Sequence, residues 1–411
     1  MELKQMKTDE NRETILLISD HALSHTGVGT QSYHLCKGLT EIENYKVIQL
    51  GAAMRHESME VVKVNENFEI HPIVGFGPKP MIRQYLDKYK PKSLIIFSDS
   101  RFFKHIFEMS EEIRKSCPIV WWHVWDNRPC PDFNHELYSR VDVVNCISEL
   151  TYNVCKEVCD KFNLKTKINY IPHSVPKSMF FQLNETDIKY HRNMIFGKES
   201  DYFICGWINK NTRRKRPADV LQSWKIFLDE LQEKRGHKKA LLLMHTDPDD
   251  RFGQNLVEIA NKLGILKNVR FSDQIVSYEK MNILHNVIDL NVNISSLEGF
   301  GLSTLESMCV GKPILVTKTG GLTRQIINPD TLEIHGIALN PDFTTTVGTQ
   351  DVPYLNEDYT SNTKVAKSLY DFYSLPIEEK TILGNKAKIY AENNFSYQKM
   401  ISKWASSLEL K

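Results

Sequence analysis

Eleven short apolar runs, separated by amphipathic helical stretches, dominate this 411-residue chain. They fall in two series. The first holds TILLISD from Thr14 to Asp20, then KVIQLG (46–51), SLIIFSD (93–99), IVWWHVW (119–125), VDVVNCIS (141–148) and INYIPHSV (168–175). The second holds YFICGWI (202–208), ALLLMHT (240–246), NVRFSD (268–273), VIDLNVNI (287–294) and PILVT (313–317). Strands that alternate with helices build parallel sheets covered on both faces. Between the series lies the polar stretch 182–200, which reads as a linker. The expected fold class is therefore α/β, with two Rossmann-like doubly wound domains. Their expected bounds are 1–185 and 186–385, with a helical tail over 386–411. Length agrees, since single cores usually stop growing below this size.

Composition narrows the chemistry. Hydrophobic content of 41% and charged content of 25% are ordinary for a globular chain. A net charge of +1 gives no bulk attraction to nucleic acid or membrane. Eight scattered cysteines include no Cys-x-x-Cys pair, which reads as reduced thiols in a cytoplasmic protein. The N-terminus MELKQMKTDENRE has no apolar signal core, and no apolar run is long enough for an integral membrane segment. Asp247, Asp249 and Asp250 are spaced carboxylates, but Pro248 favours a turn there, and no metal is expected.

The densest pattern is SSLEGFGLSTLESMCVGKPILVT, from Ser295 to Thr317. A glycine turn between a strand and a helix points bare N–H groups at a phosphate. Glu298 and Glu306 flank that turn eight residues apart, a little over two helical turns. If the helix starts near Leu302, both carboxylates face one side of its N-terminal end. Carboxylates repel phosphate, so they suit neutral hydroxyls of a sugar or ribose.

Glu-x7-Glu around Gly-Phe-Gly-Leu resembles the signature of retaining glycosyltransferases of the GT-B fold, especially glycosyltransferase family 4, also called group 1. The resemblance implies two Rossmann-like domains facing a cleft, with the C-terminal helix crossing back to the first. Phe395, Trp404 and Leu408 are the residues expected to pack there. It also implies that Glu298 meets the donor sugar and Glu306 the ribose. Phe300, Gly301 and Leu302 would meet the sugar and diphosphate. The donor is a nucleotide-diphosphate sugar, used as a substrate, with no cofactor.

Other site residues follow from the same resemblance. The loop HTGVGT after the first strand carries Gly27 and Gly29, with Thr26 where the family usually has glycine. In the basic segment GWINKNTRRKRPADVLQSW, alignment on the helix puts the family lysine at Lys215 and its arginine at Lys210. Arg213 or Arg214 stands as a substitute for that arginine. Such cations stabilise a leaving diphosphate. His123, at the end of IVWWHVW, sits where ligands bind in open α/β sheets and would orient the donor. His173 reads as structural or hinge-related.

The acceptor stays open among a glycan, a lipid-linked sugar, a small molecule and hydroxymethylated DNA. Its choice would rest on loops such as 52–80 and 101–112. The segments 74–92 and 213–216 add positive charge that suits an anionic acceptor, nucleic acid or lipid phosphate included. Two other readings remain: a GT-B relative such as a sugar-nucleotide epimerase, or a non-catalytic sugar-nucleotide-binding protein.

Overall fold

The computed structural model describes residues 12–55 and 58–410. Most of the N-terminal stretch read above, and residues 56–57, lie outside the described residues; the stretch 52–80, read as a loop, contains the strands Val62–Asn65 and Phe68–Pro72. The chain divides into two units. The first is Met1–Ser174 with Gly348–Tyr354 and Tyr397–Lys411; the second is Val175–Val347 with Leu355–Ser396.

The first unit is built on an eight-stranded sheet. Its order is Val62–Asn65, Phe68–Pro72, Lys46–Ala52, Thr14–Asp20, Ser93–Phe97, Ile119–His123, Val143–Cys146 and Lys167–Tyr170. All neighbours run parallel except the outer pair Val62–Asn65 and Phe68–Pro72. Strand order reverses between Thr14–Asp20 and Ser93–Phe97. The central strands are buried on both faces, as parallel strands covered by helices must be.

The C-terminal helix Tyr397–Leu408 completes this unit. Met400, Ile401, Trp404 and Leu408 recur at helical spacing and are buried. Trp404 meets the Trp122 ring edge-on at 4.9 Å, and Ser407 accepts from Asn145 at 2.9 Å. Phe395, expected in the same packing, falls in the second unit. It caps the helix Ile377–Asn394 of the second unit and lies 5.6 Å from the Phe300 ring.

The second unit repeats the doubly wound plan. Its sheet runs Val269–Ser272, Ala240–His245, Phe203–Ile208, Leu290–Asn293, Ile314–Thr317 and Ile337–Leu339, all parallel. Here the order reverses between Phe203–Ile208 and Leu290–Asn293. The helix Pro217–Arg235 buries Leu221, Trp224, Phe227, Leu228 and Leu231 on one face of the sheet. An antiparallel pair, Phe343–Val347 with Leu355–Tyr359, stands outside it.

Three expectations need correction. The supposed linker 182–200 contains the helix Glu185–Phe196. Asn184 caps it by accepting from the Asp187 amide at 2.9 Å, and Gly197 ends it at φ 56°. It buries only Phe196, so no apolar stripe announces it. The boundary accordingly falls after Ser174 rather than at 185. The Phe181 and Leu183 amides donate to Asn282 and Asn286 of the second unit at 3.0 and 2.9 Å. At the other end, Ile377–Asn394 packs on Leu302–Cys309, so the return to the first unit begins at Tyr397, not 386. Among the described residues no helix is long and apolar enough to cross a membrane.

Candidate active site

In an open α/β sheet, ligands gather outside the carboxyl ends of the strands where the order reverses. In the second unit those ends are the loop after Ile208, which carries the basic segment, and the loop after Asn293, which carries the glycine turn. One backbone bond joins the two, and another ties the glycine turn to the loop after Thr317. The Ser296 amide donates to the Arg214 carbonyl at 2.8 Å, and the Gly321 amide donates to the Glu298 carbonyl at 2.8 Å. Gly321 packs so tightly that a Cβ there would sit 2.4 Å from the Gly299 carbonyl oxygen.

The helix starts at Leu302, as expected, and runs to Cys309. Gly301 is its N-cap at φ 95°, a left-handed geometry that favours glycine. Gln325 holds the turn from below, donating to the Phe300 and Gly301 carbonyls at 2.8 and 3.0 Å. No side chain caps this helix, so its first amides stay open to an anion.

Glu298 is buried and bonded to the Lys215 ammonium, with the Arg214 guanidinium 3.8 Å away. Burial alone pushes its carboxyl up. Lys215, Arg214 and the Asn293 side chain outweigh burial and hold it below the ordinary glutamate value. Glu306, on the second turn of the helix, bonds to His285 Nε2 at 3.0 Å, and His285 Nδ1 lies 2.7 Å from Ser307 Oγ.

The remaining cations of the segment differ in use. Lys210 is exposed. Arg213 is drawn to Glu357, and Arg216 pairs with Asp219 at 2.9 Å. In the first unit the segment 74–92 is largely the helix Lys79–Tyr89, whose Lys79 and Arg83 pair with Glu108 and Glu112. The positive charge read from both segments is thus substantially offset by carboxylates. Asp247 and Asp250 accept from the Asp249 and Phe252 amides, which makes them turn residues.

The first unit holds the other expected residues. Gly27 and Gly29 are not in a loop but in the first turn of the helix Gly27–Glu41. Thr26 caps it, accepting from the Gly29 amide at 2.9 Å, so that amide is already engaged. A Cβ on Gly29 would meet the His21 carbonyl oxygen at 2.7 Å. His123 ends its strand, buried, with Nε2 3.0 Å from the Tyr138 hydroxyl. His173 is buried beside the Phe97 and Trp122 rings, which agrees with a structural role.

Against this geometry, residues 196–341 match the family model described as glycosyl transferases group 1. Residues 196–341 are a group 1 glycosyltransferase domain. The stretch takes in Lys210, Arg214, Lys215, Glu298 and Glu306. N-acetyl-alpha-D-glucosaminyl L-malate synthase of Bacillus anthracis is 22% identical over 231 residues, 56% of this chain and 55% of that one. The chain spans about half the length of the curated relatives it matches. Sucrose-phosphate synthase from Thermosynechococcus elongatus superimposes with a TM-score of 0.74 at 14% identity, covering 96% of this chain and 98% of that one. Anabaena HepE, solved with UDP and glucose, gives 0.68 at 13%, covering 97% and 99%. These likenesses establish the GT-B fold.

Within the glycosyltransferase domain, sequence reasoning missed two groups. Ser303 presents a buried hydroxyl with no hydrogen-bond partner in the first turn after Gly301. His285 orients Glu306 from a neighbouring helix, Tyr278–Val287. In the first unit it missed Asp20, at the point where strand order reverses. Burial raises the Asp20 carboxyl, which accepts from Thr26 and Ser98 at 2.9 and 3.0 Å. Only Ser303 carried a signal, since it follows the glycine turn directly.

Proposed function

We propose that this protein is a retaining, metal-independent glycosyltransferase that moves a sugar from a nucleotide-diphosphate sugar to a hydroxyl acceptor. The observation that supports it most is Glu298, buried and ionised against Lys215 beside an uncapped helix N-terminus. A hydroxyl-rich, diphosphate-bearing donor matches those groups. Glu298 accepts from sugar hydroxyls. The first amides of Leu302–Cys309 and the Ser303 hydroxyl donate to the diphosphate. Lys215, with Arg214 beside it, stabilises the charge that grows as the diphosphate leaves. Glu306, steadied by His285, takes the ribose hydroxyls. Arg214 fills the place of the family arginine better than Lys210, because it lies against Glu298.

In the retaining reaction the acceptor oxygen bonds to the anomeric carbon on the face the diphosphate leaves. A departing phosphate oxygen takes the acceptor proton. His123 orients the donor in this reading, and Gly27, which opens the helix Gly27–Glu41, allows close backbone approach. The acceptor class stays open among glycan, lipid-linked, small-molecule and nucleic-acid hydroxyls. The cysteines, all eight of them free thiols, suit a cytoplasmic enzyme.

A panel of nucleotide sugars, incubated with crude cell components and read by mass spectrometry, tests the proposal. The expected result is one donor consumed and a sugar-sized mass gain on an acceptor, with the transferred sugar in the donor's anomeric configuration by NMR of the product. Tight nucleotide binding without turnover of any donor would overturn it in favour of a non-catalytic binding protein.

A further inference from the structure

The second unit has a cavity of about 580 Å³ at the opposite, amino ends of its strands. Its wall includes Phe203, which begins one strand, and Lys239, Asp289 and Pro313, each close before another. Strands of this length put it roughly 15 Å from the Glu298 turn. The volume lies within the usual range for small-molecule sites, about 300–1,000 Å³.

The cavity wall is rich in cations. Arg192, Lys239, Lys312 and Lys380 line it with His237, against Asp201 and Asp289. Arg192 is already matched, paired with Asp289 at 2.8 Å and donating to the Ser200 carbonyl at 2.8 Å. Lys380 donates to the Tyr373 carbonyl at 2.8 Å. Among the described residues the ammonium groups of Lys239 and Lys312 make no hydrogen bond and no ion pair. For Lys312 this matters most, because burial lowers its pKa to about 8. Asp289 attracts the Lys312 ammonium without bonding to it and Arg192 opposes it, so burial still dominates and an added anion relieves the remaining cost.

A second observation points the same way. The first turn of the 18-residue helix Ile377–Asn394 borders the cavity through Ile377, Lys380 and Thr381. Its N-cap is Pro376, which has no side chain to bond the first amides. Open amides at the N-terminus of a long helix attract phosphate. Glu378 and Glu379 lie in the same turn but do not line the cavity.

We propose that this cavity is a second ligand site, separate from the donor site, that takes the phosphate or diphosphate group of a small metabolite. Lys239, Lys312 and Lys380 supply the charge, and the first turn of Ile377–Asn394 supplies amides. Lys312 also lies three residues past the helix Leu302–Cys309, whose other end carries the glycine turn. A phosphate held at Lys312 therefore bears on the far end of the helix that positions Glu306.

The test is site-resolved acylation of Lys312 by an amine-reactive ester near neutral pH, read by mass spectrometry. Inorganic pyrophosphate and glucose 6-phosphate are the probes, and glucose is the neutral control. Both phosphates are expected to slow acylation of Lys312, and glucose is not. In a Lys239→Gln/Lys380→Gln variant, shown folded by circular dichroism, the concentration for half-protection should rise about tenfold or more, the scale of a charged hydrogen bond. Protection should persist in Lys215→Ala, which separates this site from the donor site. Unchanged acylation with either phosphate, equal protection by glucose, or loss of protection in Lys215→Ala would each overturn the proposal.

Discussion

A buried carboxylate stays ionised only when nearby cations offset what it loses on leaving water. Glu298 meets that condition through Lys215, whose side chain is nearly as buried, and through Arg214, which is 39% exposed. The asymmetry gives unequal costs. Lys215→Met leaves a buried charge with one distant partner and should destabilise the second unit by about 3–5 kcal/mol. Arg214→Ala should cost about 1 kcal/mol or less, because water already screens that pair. Urea unfolding of both variants measures the difference. Equal losses would mean that Arg214 carries the pair. For activity, Lys215→Ala should lower turnover by roughly 10²-fold if it stabilises the leaving diphosphate. Unchanged turnover would remove that role.

The same pair sets a pH dependence. The carboxyl of Glu298 titrates below its ordinary value of 4.5, so the unfolded chain binds its proton more readily than the folded one. Its contribution to stability is complete above that value and is lost as pH falls below it. Thermal melts of Glu298→Gln should therefore lose less stability below pH 4.5 than the parent does. A parallel decline in the two proteins would sink the assignment.

At the scale of elements, two glycines with similar backbones isolate what the turn contributes. Gly301 has φ 95°, and a Cβ there would lie 2.5 Å from Leu322 Cδ2. Gly236 has φ 74°, and a Cβ there would meet nothing within 4 Å. Gly236→Ala should cost about 1–2 kcal/mol of strain and leave donor binding intact. Gly301→Ala adds a clash at the helix start and should weaken nucleotide binding about tenfold or more, as displaced amides lose a charged hydrogen bond. Calorimetric titration with the preferred nucleotide separates the two. The contrast also explains what was legible in the sequence. Glu298 and Gly301 stood out because their neighbours in the chain form one turn. The Lys215–Glu298 bond joins residues 83 positions apart, which no local pattern announces. His285 lies 21 positions before Glu306 and on another helix, so it carries no local pattern either. The helix Glu185–Phe196 was read as a linker because it buries almost nothing. All eleven apolar runs became strands, since strands covered on both faces must be continuously apolar. The strands Phe343–Val347, mostly exposed, and Leu355–Tyr359, half-buried, lack that requirement and left no trace.

For the molecule as a whole, burial of histidine in the first unit sets an acid limit. Burial lowers the pKa of His34 to about 4, with Lys37 adding to it, and that of His173 to about 3, with His34 adding to it. Both are neutral in the folded state at pH values where the unfolded chain would protonate them, near the ordinary 6.5. Between these limits the unfolded state binds more protons, so stability falls as pH drops through 6.5. Each histidine contributes a slope of at most about 1.4 kcal/mol per pH unit. His173 lies beside Phe97 and Trp122 at the centre of the first sheet, so its protonation strikes that core. Replacement by an uncharged side chain, His173→Gln, should lower stability near neutral pH yet flatten the decline between about pH 4 and 6 by up to one such slope. Hydrogen exchange would follow it strand by strand. The flattening should appear in Ile119–His123 and Val143–Cys146, and not in Phe203–Ile208, whose unit contains neither histidine. An unchanged pH slope in the variant would show that His173 does not govern the acid response.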